Sequence, residues 1–385
     1  MTGVENVATA TVLVSADGSD WRDVSAPLHS LNVEDDDRLT DKAIVRFADT
    51  TGLLADASFE GLELRVALDE SGGPTFIFEG VVTASRIVAT PDHQHVELTA
   101  LDFTYRMSTT PYDPAEWKAG ETLTSVLTRV VGRPQYDITP FQIDPAADIV
   151  LDERRPSRPA NVNEWEFVLD QAHRQGCLAF LEFDGKDTSN FYFTPLVKIV
   201  AAEPVGELHY GRGGGNLIEF CYERSAAISA PRRRAATIDP VTGVRRTSPM
   251  AATAPRPPLP PPITGRTADL DERQRTAIGA LHDLAATAAA TLVRPEERVS
   301  GTAALTADEL VYRPIADPTS LLGFHGRGRA AGTVALRAKS RVRISGIAAW
   351  AEGDWYVRRV NHVYRRANPR NGSLPSYFTE FLTTR

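Results

Sequence analysis

The sequence predicts a mainly β, α+β fold in which a helix-containing module lies between two β-rich regions. Three observations support this class: apolar and polar residues alternate in the first hundred residues, two capped helices and a hairpin follow, and alternating strands return near the end. With 385 residues, the chain is long enough for about two to four domains of roughly 100–200 residues each. Its content of 42% hydrophobic and 24% charged residues excludes general disorder.

Residues 1–110 are predicted to form the first antiparallel β-domain, a barrel or a sandwich. Between residues 62 and 69 every second residue is apolar, as in a half-buried strand: Leu62, Leu64, Val66 and Leu68. The stretch 96–100 repeats this pattern. Turn clusters at 71–74 (SGGP) and 90–93 (TPDH) separate the apolar runs, which indicates hairpins.

Residues 111–203 are predicted to form an α+β module of two helices and a hairpin. The first helix lies within 120–132, where Gly132 is placed as the C-terminal cap. The second lies within 163–176, where Asn163 and Glu166 have the spacing of a capping box and Gly176 ends the helix. The segments CLAFLEF (177–183) and NFYF (190–193), joined by a DGKDTS turn, then predict a β-hairpin.

The second β-domain is predicted to start at 204–228 and to resume, after an interruption, as a helix and further strands in 267–385. The interrupting arm, 229–266, contains nine prolines and six arginines within 229–263, and its stretch 254–263 (APRPPLPPPI) is typical of polyproline. A helix is predicted at 269–292, with Asp269 as N-cap and Glu272 at the capping-box position. Four alanines, spaced along this helix, suit close packing: Ala277, Ala280, Ala285 and Ala288.

The arm admits three interpretations: a flexible or surface-draped linker, a tether that docks onto an acidic neighbouring subunit, and a nucleic-acid-binding segment. Its cationic character comes from six arginines: Arg232, Arg233, Arg234, Arg245, Arg246 and Arg256. The linker is the default, and nucleic acid ranks third because no aromatic residues are interleaved for base stacking.

The net charge of −8 is carried entirely by residues 1–60, which hold twelve acidic and four basic residues. This acidic end argues against nucleic-acid binding there. We expect either a solvated acidic rim or a surface that steers a basic protein partner. The run Glu34–Asp37 is expected at a loop or strand end, without the apolar surroundings that raise a carboxyl pKa for acid catalysis.

Other candidate sites are weak, and no catalytic, cofactor-binding or metal-ligating residues are assigned. The segment GRGGGN (211–216) lacks the Lys-Ser/Thr ending of a phosphate loop and precedes a predicted strand, so a glycine-rich turn is favoured. His93 and His95 have no third ligand nearby. Cys177 and Cys221 are interpreted as buried small apolar side chains. A paired carboxylate site is left open by the sequence, but no GxSxG nucleophile elbow is present.

The sequence predicts neither export nor membrane insertion. It contains no run of about 18 apolar residues, and its first residues lack the basic and apolar regions of a signal peptide. With two cysteines, it is expected to be made in a reducing cytosol.

Three segments resemble the hub proteins of contractile tails, the family of phage late control D proteins and VgrG-type hubs. The helix and hairpin at 161–195 resemble a helix–hairpin segment of that family, and GGNLIEFCYERS (214–225) resembles the strand that opens its second barrel. The stretch 353–385 resembles its closing strands, through Trp355-Tyr356-Val357, Val360, His362 and the strand from Tyr377.

The resemblance implies two tail-tube-like antiparallel β-barrel domains per subunit and a homotrimeric, pseudo-hexameric ring. Such a ring adapts a sixfold inner tube to a threefold spike in a phage tail or a phage-tail-like injection system. The implied partners are the inner tube protein, a separate spike or tip protein and baseplate wedge or adaptor proteins. No cofactor, nucleic acid or membrane is implied, and the protein would be cytoplasmic on synthesis before assembly into the particle.

The sequence leaves two alternatives from other functional classes open. One is a cell-wall hydrolase at the tip of such a particle, which would need a paired carboxylate in a cleft. The other is a carbohydrate- or receptor-binding module, favoured if Trp21, Trp117 or Trp350 lined a groove.

Overall fold

A computed structural model gives the fold of the chain. It describes the following residues: 9–70, 73–89, 94–113, 118, 120–144, 162–211, 214–224, 232–238, 245–247, 271–291, 296–300, 324–367 and 374–385.

Nineteen strands and five helices are present in these ranges. The strands of the N-terminal half are β1 (Thr9–Ser15), β2 (Arg22–Asp23), β3 (Leu28–Asp36), β4 (Lys42–Ala48), β5 (Glu63–Asp69), β6 (Pro74–Ala89), β7 (Gln94–Leu101), β8 (Ile138–Ile143), β9 (Cys177–Phe183) and β10 (Ser189–Pro195). Those of the C-terminal half are β11 (Glu207–His209), β12 (Leu217–Arg224), β13 (Arg232–Ile238), β14 (Arg245–Thr247), β15 (Glu296–Ser300), β16 (Phe324–Ala331), β17 (Ser340–Ser345), β18 (Gly353–Arg365) and β19 (Ser376–Thr384). The helices are α1 (Thr104–Ser108), α2 (Leu123–Val131), α3 (Glu164–Gln175), α4 (Leu196–Ala201) and α5 (Glu272–Thr291).

Thirteen of the described strands form one sheet. Its main path runs β12-β16-β19-β18-β3-β4-β7-β6-β5-β1-β2, and β17 with β11 branches from β18. Strand β18 joins the two halves: residues 353–357 pair with β17, whereas residues 359–365 pair with β3. The strands nearest the two ends of the chain therefore share one hydrogen-bonded sheet.

The mainly β, α+β class is confirmed. The expected closure into two separate barrels is not detected among the described strands, whose path remains open from β12 to β2. The pairing of Asp35 with Val360 and of Leu31 with Tyr364 is the reason, because it continues the N-terminal sheet directly into the C-terminal one. No local pattern in the sequence signals a pairing between such distant segments.

The two helices and the hairpin predicted within 111–203 are present as α2, α3 and the β9–β10 pair. Helix α3 begins at a capping box, in which the Asn163 side chain accepts from the Glu166 amide at 2.7 Å and the Glu166 carboxylate accepts from the Asn163 amide at 3.0 Å. It ends at Gly176, whose φ of 65° is left-handed. The hairpin of β9 and β10 follows and, with β8 parallel to β10, makes a three-stranded sheet. Helices α1 and α4 are short elements that the sequence did not reveal.

Three large apolar cores lie in the N-terminal strands, the module and the C-terminal strands. A smaller cluster connects the module to β18: Leu178, Leu196 and Ile199 pack with Tyr356. Tyr364, at the far end of β18, belongs to the N-terminal core. One strand thus contributes side chains to separate cores, which couples them mechanically.

The expected half-buried pattern of β5 is wrong. Leu64, Val66 and Leu68 are core residues as predicted, but Glu63 and Arg65 on the opposite face are also buried. Ion pairs cover this face, since Arg106 of α1 binds Glu63 and Arg65 binds Glu79 at 2.7 Å.

The arm and the last helix differ from expectation. Two segments of the arm are the strands β13 and β14, which with β15 make a separate sheet. The polyproline stretch 254–263 lies outside the described residues. Helix α5 is capped by Asp271 and Gln274, whose side chains and amides bond reciprocally, two residues after the predicted cap. Its four predicted packing alanines, 277, 280, 285 and 288, are exposed. Within the described ranges, no helix has the length and apolar character needed to cross a membrane.

Gly80 in β6 provides a test of the sheet packing. A Cβ at this position would lie 2.1 Å from the backbone oxygen of Leu101, a group that cannot rotate away. We expect Gly80→Ala to lower the free energy of unfolding by about 3 kcal/mol, the upper part of the range for overpacked cores. Urea denaturation measures the effect. Gly206→Ala, with no atom within 4 Å of its added methyl group, is the control and should change stability by less than about 0.5 kcal/mol. Equal effects of the two substitutions would contradict the packing described here.

Candidate functional site

The most distinctive polar feature is a buried cluster of charges where the N-terminal strands, the module and the C-terminal strands meet. We call it the charged junction and define it by six residues: Asp35, Asp41, Asp102, Glu182, Arg337 and Lys339. At its centre, the Lys339 ammonium lies 2.5 Å from Asp35 and 3.5 Å from both Asp41 and Glu182. The Lys339 side chain is 2% exposed, so these pairs are shielded from solvent.

The residues of the charged junction come from three parts of the molecule: the N-terminal strands, the module and the segment before β17. Asp35 is the core-facing residue near the end of β3, following Leu31 and Val33 on the same face. Glu182 lies on β9 of the module. Arg337 spans the two, with its guanidinium 2.9 Å from Asp35 and 3.0 Å from Glu182. The junction therefore ties three regions together through charge.

The backbone around Lys339 positions the lysine side chain inside the charged junction. Lys339 has a φ of 61°, a left-handed conformation that is unfavourable for a residue with a Cβ. The Ala338 amide donates to Asp35 at 3.0 Å, and the Lys339 amide donates to the Val357 carbonyl at 2.9 Å. These bonds fix the turn before β17 and hold the ammonium inside the cluster.

The pairing decides the charge states. Burial alone would raise the pKa of Asp35, but Lys339 and Arg337 outweigh it and hold that pKa well below its usual range. Burial alone would lower the pKa of Lys339, but Asp35, Asp41 and Glu182 raise it above its usual value. Asp35 and Lys339 are thus both charged near neutral pH and compensate each other's desolvation.

Two other carboxyl groups of the charged junction have raised pKa values, in contrast to Asp35. Burial raises the pKa of Asp41 and of Asp102. The two are linked, since the Asp41 amide donates to the Asp102 carboxylate at 2.9 Å. Next to them, burial raises the pKa of Asp37 to about 6.

The run Glu34–Asp37 lies at the end of β3, as expected, but the expected exposure of its side chains is wrong. Asp35, Asp36 and Asp37 are buried, and Asp36 binds Arg359 at 2.5 Å. These three residues form neither a solvated rim nor a steering surface, and burial raises the pKa of Asp37, contrary to expectation. The alternation of β3 continues into the acidic run, and that was the available signal for burial.

The remaining sequence candidates do not converge on a site. Cys177 is buried as predicted, and burial raises its thiol pKa to about 12, whereas Cys221 is exposed on β12, contrary to expectation. His95 lies on β7, and His93 lies outside the described residues. Across the described ranges, no three His, Cys, Asp or Glu side chains are grouped to hold a metal ion. The glycine-rich segment 211–216 connects strands β11 and β12, and Asn216 bonds back to His209 and Glu207.

The tryptophans proposed as groove residues are engaged elsewhere. The Trp21 ring is covered by the Arg65 guanidinium at 4.1 Å. Trp350 packs against Tyr222 and Phe324 beside the C-terminal core. Trp117 lies outside the described residues.

The residues of the last family-like segment do come together. Trp355, Tyr356, Val357 and Val360 are buried on β18. His362, also on β18, is fully buried and bonds through Nδ1 to the Tyr377 hydroxyl of β19 at 2.8 Å. Burial lowers the pKa of His362 to about 3, so its ring is neutral under ordinary conditions. These residues belong to the packing of the sheet.

The sheet face opposite the cores carries an open polar groove of about 450 Å³ across β3, β12, β16, β18 and β19. Its lining alternates in charge along a cross-strand row in which Glu219 faces Arg329, and Arg329 faces Glu380. Leu382, 40% exposed, lies beside this row.

The fold of this chain is similar to the folds of several solved tail proteins. The chain is similar to a tail protein from Neisseria meningitidis MC58 (13% identity, TM-score 0.62, covering 98% of this chain and 96% of that one). It is equally similar to a 43 kDa prophage tail protein from Shewanella oneidensis (11% identity, TM-score 0.62, covering 98% of both). A prophage tail protein from Listeria monocytogenes matches at 12% identity and a TM-score of 0.55, covering 97% of this chain and 94% of that one.

A chain of a Francisella PdpA–VgrG complex is also similar, at 9% identity and a TM-score of 0.53. The whole of this chain covers 59% of that one. No protein-family model matches the sequence, and no curated protein matches it. At these identities the likeness establishes a shared fold, one that spans this chain and the tail proteins almost end to end.

Substitution of Lys339 tests the charged junction. Lys339→Met keeps the length and the backbone preference of the side chain but leaves the surrounding carboxylates without their central cation. We expect the free energy of unfolding to fall by about 3–5 kcal/mol, the cost of breaking a buried ion pair from one side. Chemical denaturation at pH 7.5 measures this.

Lys42→Met is the matched control, since Lys42 pairs with Glu34 at 3.2 Å on the partly exposed face and its side chain is 37% exposed. This change should cost less than about 1 kcal/mol. A loss for Lys339→Met no larger than that of the control would contradict the structural role of the junction.

Proposed function

We propose that the protein is a structural baseplate hub of a phage tail or of a contractile, phage-tail-like injection system. The observation that carries the proposal is the end-to-end likeness to three tail proteins, each of which matches over at least 94% of its own length. The weaker likeness to a chain of a VgrG complex supports a place at the tube-to-spike end of such a particle. The function is assembly, without a catalytic step.

In this role the protein forms a homotrimeric, pseudo-hexameric ring that adapts a sixfold inner tube to a threefold spike. Its partners are the tube protein, a separate spike or tip protein and baseplate wedge or adaptor proteins. The three apolar cores support a division into a first β-domain (1–110), an α+β module (111–203) and a second β-domain (204–228 and 267–385). The protein is made in the cytoplasm and becomes part of the particle.

The internal connections of the subunit support this role. A ring that transmits force between tube and spike needs subunits whose parts do not move independently. The shared strand β18 and the charged junction join the N-terminal strands, the module and the C-terminal strands within one subunit. The open polar face, with its alternating charges, supplies a contact surface whose register is fixed by charge complementarity.

The oligomeric state gives a direct test. We expect light scattering of the purified protein, alone or with its cognate spike protein, to give three times the chain mass of 42.0 kDa. Negative-stain images should show a threefold ring that binds one end of a tube assembled from the neighbouring tube protein. A monomer at micromolar concentration that binds neither tube nor spike protein would refute the proposal.

A further inference from the structure

Strand β18 changes its neighbour at Arg358. Residues up to Val357 pair with β17, residues from Arg359 onward pair with β3, and the register with β19 shifts between Val357 and Arg359. Such bulges redirect a strand and often adjoin functional sites. The Asp37 amide donates to the Arg358 carbonyl at 2.9 Å, so the turn after β3 is attached to β18 at this point.

The Asp37 side chain has few polar partners for a carboxyl group that is almost completely buried. It is 1% exposed and accepts one hydrogen bond, from the Tyr356 hydroxyl to Oδ2 at 3.2 Å. The nearest cations, Arg358 and Arg38, lie 3.8 and 3.9 Å away, beyond hydrogen-bonding distance. Within the described part of the chain, no donor bonds to its Oδ1. A buried carboxylate with a single hydrogen bond carries a large desolvation cost.

Asp37 lines a small enclosed pocket together with charged groups from several elements. Its own turn lines the pocket with Asp36 and Arg38, and Tyr356 and Arg358 of β18 contact the Asp37 side chain. Across the pocket lie Asp41, Asp102 and Lys339. Helix α3 and strand β9 face the pocket with Trp165, Ala179, Phe180 and Leu181. Lys339, which also lines the pocket, is engaged by Asp35 at 2.5 Å, and Asp36 is paired with Arg359 at 2.5 Å.

We propose that Asp37 is a proton-binding latch whose state of protonation controls how firmly the turn at 37–41 is attached to β18. When the Asp37 carboxyl is protonated, the group is neutral and carries no charge that needs solvation. When the proton is lost to solvent, a buried anion with a single hydrogen bond remains beside Asp36, and the attachment of the turn to β18 weakens. The latch adds a property to the proposed hub and is independent of it.

The electrostatics of the site agree with this proposal. Burial raises the pKa of Asp37 to about 6, Arg358 and Arg38 oppose the rise, and Asp36 adds to it. The folded protein therefore binds this proton more tightly than the unfolded chain, whose aspartates titrate near 3.8. The stability due to Asp37 is complete below about pH 4 and is lost as the pH rises through about 6.

The test compares the full chain with Asp37→Asn by urea unfolding between pH 4.5 and 7.5. The asparagine mimics the neutral acid and removes the titration. We expect the unfolding equilibrium constant of the wild type, relative to that of the variant, to rise by about 25-fold over this range, with its change centred near pH 6. The matched control, Asp56→Asn at an exposed aspartate, should run parallel to the wild type. A constant ratio for Asp37→Asn would overturn the proposal.

A second measurement needs no variant. Hydrogen exchange of the wild-type Asp37 amide, corrected for its intrinsic rate, should show weaker protection at pH 7.5 than at pH 5.5, while amides of the β5–β6 ladder stay equally protected. Equal protection of Asp37 at the two pH values would overturn the latch.

Discussion

The arrangement of the molecule depends on the buried pairing of Lys339 with Asp35. Removing two charges from water is costly, and the cost is recovered here because the ammonium meets three carboxylates and Arg337 completes the set. The charges come from β3, from β9 and from the segment before β17. Separation of any one of these regions would leave unpaired charge behind. The junction thus makes separate apolar cores behave as one body.

The same constraint explains features that look unfavourable in isolation. A lysine with a φ of 61° is tolerated because its hydrogen bonds and ion pairs hold it there. The excess of carboxyls is tolerated because Asp41 and Asp102 have raised pKa values. Asp37 lies just outside the charged junction, and its carboxyl group accepts a single hydrogen bond. Because its amide is bonded to the bulge of β18, its charge state has a structural consequence.

Much of the local structure could be predicted from the sequence. The capping box of Asn163 and Glu166, the glycine that ends α3 and the hairpin that follows are local signals, and each forms as expected. The single sheet could not be predicted, because the pairing of β3 with β18 joins residues as far apart in the chain as Asp36 and Arg359, a separation of 323 residues. Burial of the acidic run could not be predicted either, because it depends on Arg337 and Lys339, which no sequence spacing connects to Asp35. Cys221 on its exposed strand shows the same limit, because a strand pattern does not tell which neighbour covers which face.

The central claim is that the charged junction joins the three regions into one cooperative unit. Native-state hydrogen exchange at pH 7.5 tests it most directly, by comparing the slowest amides of β3, β9 and β18 under increasing denaturant. We expect the three strands to open with one common free energy in the wild type, and β9 to open separately at lower free energy once Lys339 is replaced. Independent opening of β9 in the wild type would contradict it.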